Sequence, residues 1–290
     1  VAPMIWVETV MQGVTLGGLY ALFAAGLYLV LGVMRLANLA HGAFIVLAAY
    51  VILLLASLLE IGPLLAALIA APALFAAGWL LQRLLLNRLL GEDILPPLLV
   101  TLGLSIVIQT GLEKGLSAQS RRISPGPLET ATVEVGPAVV SLLPLLSLGS
   151  AVLVVLVLQW VALRTATGRA LRAISDDPAT ASMVGISPPR LLAGVTGVSL
   201  VVATIAALHA GTLAEFQPAS GTAYLIIAFE AVLIGGLGSP WGALAGGIVL
   251  GVAQTAGAAL DPEWEVLAGH VAFLAVLLVR PRGLFPRASG

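Results

Sequence analysis

The feature that most narrows what this chain can fold into is a succession of about nine apolar runs, each near the roughly 20 residues an α-helix needs to cross about 30 Å of hydrocarbon. They run near 9 to 33, 43 to 59, 62 to 81, 94 to 112, 138 to 163, 191 to 214, 222 to 237, 241 to 259 and 265 to 280. A bilayer holds no water to bond exposed N–H and C=O groups, so such runs fold as internally bonded helices. Composition agrees: the 290 residues are 60% hydrophobic and 9% charged, against roughly 25% charged in soluble domains, too little polar surface to clothe a water-soluble globule. The expected fold is an all-α polytopic membrane bundle of eight or nine transmembrane helices, one transmembrane domain over residues 1–290. The count turns on the run from Tyr224 to Leu237, which is short and ends in glycines, so that it and its successor can form a broken or re-entrant pair.

Charge orients the bundle. Ten of the thirteen basic residues fall in four gaps: Arg35; Arg83 and Arg88; Arg164, Arg169, Arg172 and Arg190; Arg280, Arg282 and Arg287. Short loops rich in Arg and Lys stay cytoplasmic. The intervening gaps carry Glu60, Glu113, Glu129, Glu134, Glu215, Asp261, Glu263 and Glu265 with only Lys114, Arg121 and Arg122 as basic company. These read as extracytoplasmic, with the N-terminus outside and the C-terminus in the cytoplasm. The longest polar stretch, about 115 to 137, falls on the outer side; its Ser, Pro and Gly residues promise turns and a short hairpin. That position suits an extracytoplasmic partner, and the composition suits an inert loop equally well. Between Leu80 and Leu90, Gln82, Arg83, Asn87 and Arg88 recur at helical spacing, and the reading favoured is a solvated helix end rather than a helix lying along the inner surface. No cleavable signal peptide is read.

Several classes of chemistry are excluded. With no cysteine there is no disulfide framework, thiol nucleophile or thiolate metal site. No basic stripe suggests nucleic acid. His41, His209 and His270 lack metal-ligand spacing to one another or to an acid, and the last two read as lone anchors near helix ends. The single lysine, Lys114, lies in Glu113-Lys114-Gly115, so no P-loop is present and the chain cannot hydrolyse ATP by that route.

The third basic gap, about 164 to 190, is the most informative. Within it Asp177 can cap a helix, Pro178 suits the first helical position and Gly185 suits the left-handed residue that ends one. Ser187 and Pro188 then start the next crossing. A short helix held this way is a rigid knob that another protein can grip, with Arg169, Arg172 and Asp176 beside it.

These residues resemble the cytoplasmic coupling loop of ABC-importer permeases of the branched-chain amino acid (LivH) type. The general EAA signature is incomplete: Ala179-Thr180-Ala181 stands where Glu-Ala-Ala would be, with the glycine kept at Gly185, and that departure is itself similar to the subfamily. The blocks from Gly32 to Phe44 and from Ala228 to Ala243, and Arg280-Pro281-Arg282-Gly283-Leu284-Phe285, resemble the same family in the same order along the chain. The resemblance implies a non-catalytic inner-membrane permease subunit of a bacterial importer for branched-chain or other hydrophobic amino acids. It further implies a homologous second permease, two ATP-binding subunits that hold ATP and Mg, and an extracytoplasmic substrate-binding protein. No cofactor is expected on this chain.

Candidate pathway residues are Asn38, His41, Glu230, Gly235, Gly236 and Gly238. Asn38 and His41 follow the first span, where capping of freed backbone groups is favoured over substrate contact. Glu230 is the sharpest single residue, because an ionisable group in a membrane segment is costly unless it faces a cavity or a partner. It can meet the ammonium of an amino acid, pair with a neighbouring subunit or stay protonated; the family usually has a small or polar residue there, which leaves the substrate open. Gly13 with Gly17, Gly242 with Gly246 and Gly247 with Gly251 permit close helix approach, with tight packing or dimerisation favoured over a role in a moving gate. The competing class is a self-sufficient ion-coupled transporter or channel using Glu230 with His209 or His270 as a relay.

Overall fold

The computed structural model describes residues 2–34, 36–89, 95–135 and 138–286. Arg35 and Arg287, which mark the first and last basic gaps, and residues 136–137 of the long polar stretch lie outside the described residues. The helices are α1 (Ala2–Met34), α2 (His41–Leu59), α3 (Pro63–Leu84), α4 (Leu95–Leu116), α5 (Leu142–Arg164), α6 (Ala166–Asp176), α7 (Pro178–Met183), α8 (Pro188–Leu213), α9 (Ser220–Gly235), α10 (Pro240–Leu260) and α11 (Trp264–Val279). Between α4 and α5 a two-stranded antiparallel hairpin pairs β1 (Thr132–Val135) with β2 (Ala138–Ser141). This is the expected hairpin, but it reaches past residue 137 and moves the start of the fifth apolar helix from 138 to Leu142.

The chain is a polytopic helical membrane protein. Among the described residues, α1, α2, α3, α4, α5, α8 and α10 are long and apolar enough to cross a membrane, while α9 and α11 are apolar but shorter. The nine apolar runs are thus nine helices, two of them too short to span unaided.

α1 lies at the centre, packed against α5, α8, α9 and α10. Phe23, Leu22 and Leu27 of α1, Ile45, Tyr50 and Ile52 of α2, Leu200 of α8 and Ile234 of α9 are among its largest fully buried side chains. Glycine sets the closest approaches. A Cβ on Gly251 would stand 2.3 Å from the Gly13 carbonyl oxygen, and one on Gly17 2.5 Å from the Ile248 Cα, so α1 and α10 touch backbone to backbone in opposite directions.

The two halves repeat each other with inverted direction. α1 packs on α10 as α8 packs on α3; α2 meets α8 as α9 meets α1; residues 35–40 join α1 to α2 and residues 214–219 join α8 to α9. α8 starts where α1 stops, because Ile174, Ala181 and Leu192 form a small apolar cluster with Val33 and Met34. Such inverted pairing is a recurrent transporter architecture.

Both α2 and α9 begin inside the bundle. The His41 ring at the start of α2 bonds the carbonyl of Phe23, eleven residues short of the α1 terminus, a depth of roughly 16 Å at about 1.5 Å per residue. α9 starts at the same level: a Cβ on Gly42 would lie 1.9 Å from the Gly221 carbonyl oxygen.

Gly42→Val should therefore overpack this junction and destabilise the protein by about 1–3 kcal/mol. Gly103→Ala, where an added Cβ meets nothing within 4 Å, should be neutral or slightly stabilising. Thermal unfolding of both variants in detergent separates the two outcomes.

Candidate functional site

The α6–α7 segment is built from caps. Thr165 Oγ1 accepts from Gly168 N at 3.0 Å to open α6. Gly168 lets α6 fold tightly onto α5, since a Cβ there would lie 2.2 Å from the Val161 carbonyl. Asp177 opens α7, its Oδ1 accepting from Ala179 N at 2.9 Å and Thr180 N at 3.2 Å, while the Thr180 hydroxyl donates to Oδ2. Pro178 follows at the first helical position. Gly185 closes the turn at φ +84, with Ile186 N returning to the Ala181 carbonyl. A Cβ at Gly185 would meet nothing within 4 Å, so backbone conformation alone demands glycine there. The punctuation read from the sequence is the punctuation found.

The segment is held on one side only. Ile174 and Ala181 pack inward, and Ser175 Oγ reaches the Gly32 carbonyl of α1. Arg169, Asp176, Asp177 and Pro178 are exposed. Arg172, also exposed, donates to the Ala162 carbonyl at the end of α5. The tip consists of Met183 and Val184, 85% and 72% exposed. Sequence reasoning passed over these two; the signal was an apolar pair placed just before the helix-ending glycine of an otherwise polar loop.

Around the mid-bundle break, Asn38 satisfies backbone donors of the turn that leads into α2. Its Oδ1 accepts from Ala40 N at 3.0 Å and its carbonyl from His41 N at 3.2 Å, while Thr101 Oγ1 of α4 accepts from Leu39 N at 3.2 Å. His41 is fully buried; its Nε2 faces the Phe23 carbonyl at 3.0 Å and is thus the protonated nitrogen, leaving Nδ1 buried without a protein partner.

Glu230, on α9 and 6% exposed, accepts through Oε1 from Nδ1 of His270 on α11, while its Oε2 is buried without a partner. His270 is therefore not a lone anchor. His209 is one: it bonds Ser150 of α5 at 2.9 Å. Close to the acid, the Tyr20 hydroxyl of α1 donates to Gln254 Oε1 of α10.

Gly235, Gly236 and Gly238 form the α9–α10 turn, under the C-terminal strap. Leu284 N and Phe285 N donate to the Ile234 and Gly235 carbonyls, and Gly238 N donates to the Phe285 carbonyl. Gly236 has φ +83, and a Cβ there would lie 2.8 Å from the Arg282 and Phe285 carbonyls. Gln82 and Asn87 are likewise structural rather than a solvated helix end. Gln82 is fully buried, accepts from Thr196 of α8 at 2.8 Å and donates to Asn87, whose amide reaches the Pro189 carbonyl at 3.1 Å. Among the described residues no cluster of three His, Cys, Asp or Glu could hold a metal.

A centrally threaded helix, two helices that begin at mid-depth and a capped knob tied to α1 and α8 thus make up the machinery. Residues 9–279 match the family described as the branched-chain amino acid transport system permease component. The chain belongs to that family. It is 29% identical over 97% of its length to the high-affinity branched-chain amino acid transport system permease protein BraD of Pseudomonas aeruginosa, covering 96% of that protein. The corresponding permease LivH of Salmonella typhimurium gives the same identity and coverage. The fructose import permease protein FrcC of Rhizobium meliloti is 30% identical over 63% of this chain and 55% of its own length. No solved structure matches the chain.

Hydrogen bonding by the Thr180 hydroxyl, and then by the Thr180 and Ala179 amides, holds the Asp177 carboxyl below its ordinary range. The folded group titrates lower than the unfolded one, so the cap is at full strength above the ordinary carboxylate range and is lost as pH falls through the depressed value. Amide exchange at Ala179 and Thr180, corrected for intrinsic pH dependence, should stay slow down to the ordinary range and rise below it. Asp177→Ala should show the fast rate at every pH.

Proposed function

We propose that this chain is a membrane-spanning permease subunit of an ATP-binding-cassette importer, carrying branched-chain or other hydrophobic amino acids into the cytoplasm. The observation that carries the reading is the α6–α7 knob: capped at both ends, buried on one face against α1 and α8, and offering Met183, Val184, Arg169 and Arg172 outward. An exposed apolar tip with exposed arginines on the helix before it is suited to a groove on another protein. The groove is assigned to an ATP-binding subunit, of which two serve the assembly and hold the ATP and Mg that this chain has no P-loop to bind. Closure of those subunits displaces the knob, tilts α1 and α8 and switches access from one side to the other.

The end of α3, with Arg83 and Arg88, and the start of α8, with Arg190, lie where α1 stops, which supports a cytoplasmic placement of that end in the bacterial inner membrane. The opposite end then receives substrate from an extracytoplasmic binding protein, and a homologous second permease completes the pathway. Near-complete coverage of the branched-chain relatives, against partial coverage of the fructose permease, favours an amino-acid substrate.

In the reconstituted transporter, Arg169→Glu, Arg172→Glu or Met183→Asp should leave the permease inserted while uptake falls at least about tenfold and ATPase activity no longer responds to substrate. Wild-type uptake together with wild-type stimulated ATPase in all three would sink the reading.

A second reading is favoured by one observation, the Glu230–His270 pair within the bundle. In it the chain alone couples solute movement to protons through this acid and base. Uptake by the purified chain, driven by a proton gradient, indifferent to ATP and abolished in Glu230→Gln, establishes it. ATP-dependent uptake that survives Glu230→Gln and ignores the gradient rules it out.

A further inference from the structure

At the end of the bundle opposite the knob, a recess of about 470 Å³ opens between α2, the end of α4 and the segment that follows it. That is within the range of small-molecule sites, about 300–1,000 Å³. Its walls are of two kinds. Leu53 and Leu54 of α2 and Leu116 of α4 are aliphatic, while Tyr50, Ser120 and Arg121 supply donors.

Two details make it more than a dent beside a loop. The Tyr50 side chain is 2% exposed, yet its hydroxyl has no hydrogen-bond partner in the protein, so a buried donor lines the recess unused. Arg121 makes no ion pair among the described residues, whereas its neighbour Arg122 is engaged by Glu129 at 2.9 Å and by the Thr212 carbonyl. One guanidinium at the recess is thus spoken for and one is free.

Both free donors are held by the same residue. Phe216, fully buried in the connection between α8 and α9, packs edge-on against the Tyr50 ring at 5.1 Å between centroids. Its backbone N–H and C=O pair with the C=O and N–H of Arg121, at 2.8 Å each. The phenol and the base of the arginine are therefore fixed relative to one another before anything binds, which lowers the ordering cost of binding. A guanidinium with a neighbouring hydroxyl suits an oxyanion, and the leucines beside them suit a short aliphatic body.

We infer that Tyr50 and Arg121 form a binding site for an oxyanion borne on an aliphatic body. The carboxylate of the transported amino acid and the phosphate of an anionic lipid share this chemistry. The importer reading bears only on which of the two supplies it.

The test uses the complete transporter in nanodiscs of phosphatidylcholine, with and without phosphatidylglycerol, with Arg121→Gln, Arg121→Lys and Tyr50→Phe compared with wild type after each is shown to be monodisperse. If the substrate supplies the oxyanion, Arg121→Gln weakens binding of radiolabelled L-leucine about tenfold to a hundredfold. Arg121→Lys restores most of it, and Tyr50→Phe has a smaller effect. L-leucinamide, which lacks the carboxylate, binds wild type and Arg121→Gln alike. If lipid supplies it, leucine binding is unchanged, while native mass spectrometry shows phosphatidylglycerol retained by wild type and released from Arg121→Gln. Unchanged leucine binding together with unchanged phosphatidylglycerol retention in folded Arg121→Gln and Tyr50→Phe overturns the site. Absence of ATP-driven leucine uptake in the wild-type transporter sinks the importer reading instead and leaves the site to be decided by the lipid arm.

Discussion

Everything in this structure depends on how the backbone is satisfied where two helices begin in the middle of the bundle. A helix start leaves N–H groups without intrahelical partners, and in hydrocarbon each unpaired group costs several kcal/mol. At α2 the Asn38 carbonyl takes the first helical donor, His41 N, while the Asn38 side chain and Thr101 of the neighbouring α4 take Ala40 N and Leu39 N in the turn before it. At α9 the Gln217 carbonyl takes the first helical donor, Ser220 N, and the Ser220 hydroxyl accepts from Gln217 N in the turn before it. The two starts can then share one level only because Gly42 and Gly221 carry no side chains.

The inverted pairing of the two halves follows from the same constraint. Each half has a long helix, a break and a second helix that begins inside the bundle, and each such start is covered by the long helix of the other half. Two copies facing in opposite directions cover each other's breaks. α5, α6 and α7 stand outside this exchange, and the outward-facing knob is built there.

The parts of this arrangement visible in the sequence are those with local causes. Apolar runs mark helices because every residue of a run meets the same solvent. Asp177, Pro178 and Gly185 mark the knob because a cap is a contact between residues a few positions apart. Glu230 is visible as a charge in the wrong medium, but its partner is not: His270 is on another helix, and nothing in the spacing sets it apart from His209, which bonds a serine instead. Gln82 and Asn87 read as a wet helix end because polar residues at the end of an apolar run usually are one; here α8 arrives from over a hundred residues away to bury them. Tyr50, Phe216 and Arg121 left no trace at all, since each is ordinary where it stands and only the return of α8 toward α9 brings them together.

That return also links the two ends of the molecule. α8 is 26 residues long, roughly 39 Å at about 1.5 Å per residue, and its two ends are tied to different things. At the start, Leu192 packs on Ala181 of the knob and Thr196 on Gln82. At the far end, Gly211 accepts from Ile123 N and Thr212 from Arg122, just before the Phe216 that holds Tyr50 and Arg121. A helix that moves as a rigid body cannot change its contacts with the knob without changing those at the recess. In the middle, Ser199 donates to the Gly26 carbonyl, and Gly26 lies against the ring of His41. The middle of α8 is therefore anchored at the level at which α2 and α9 begin.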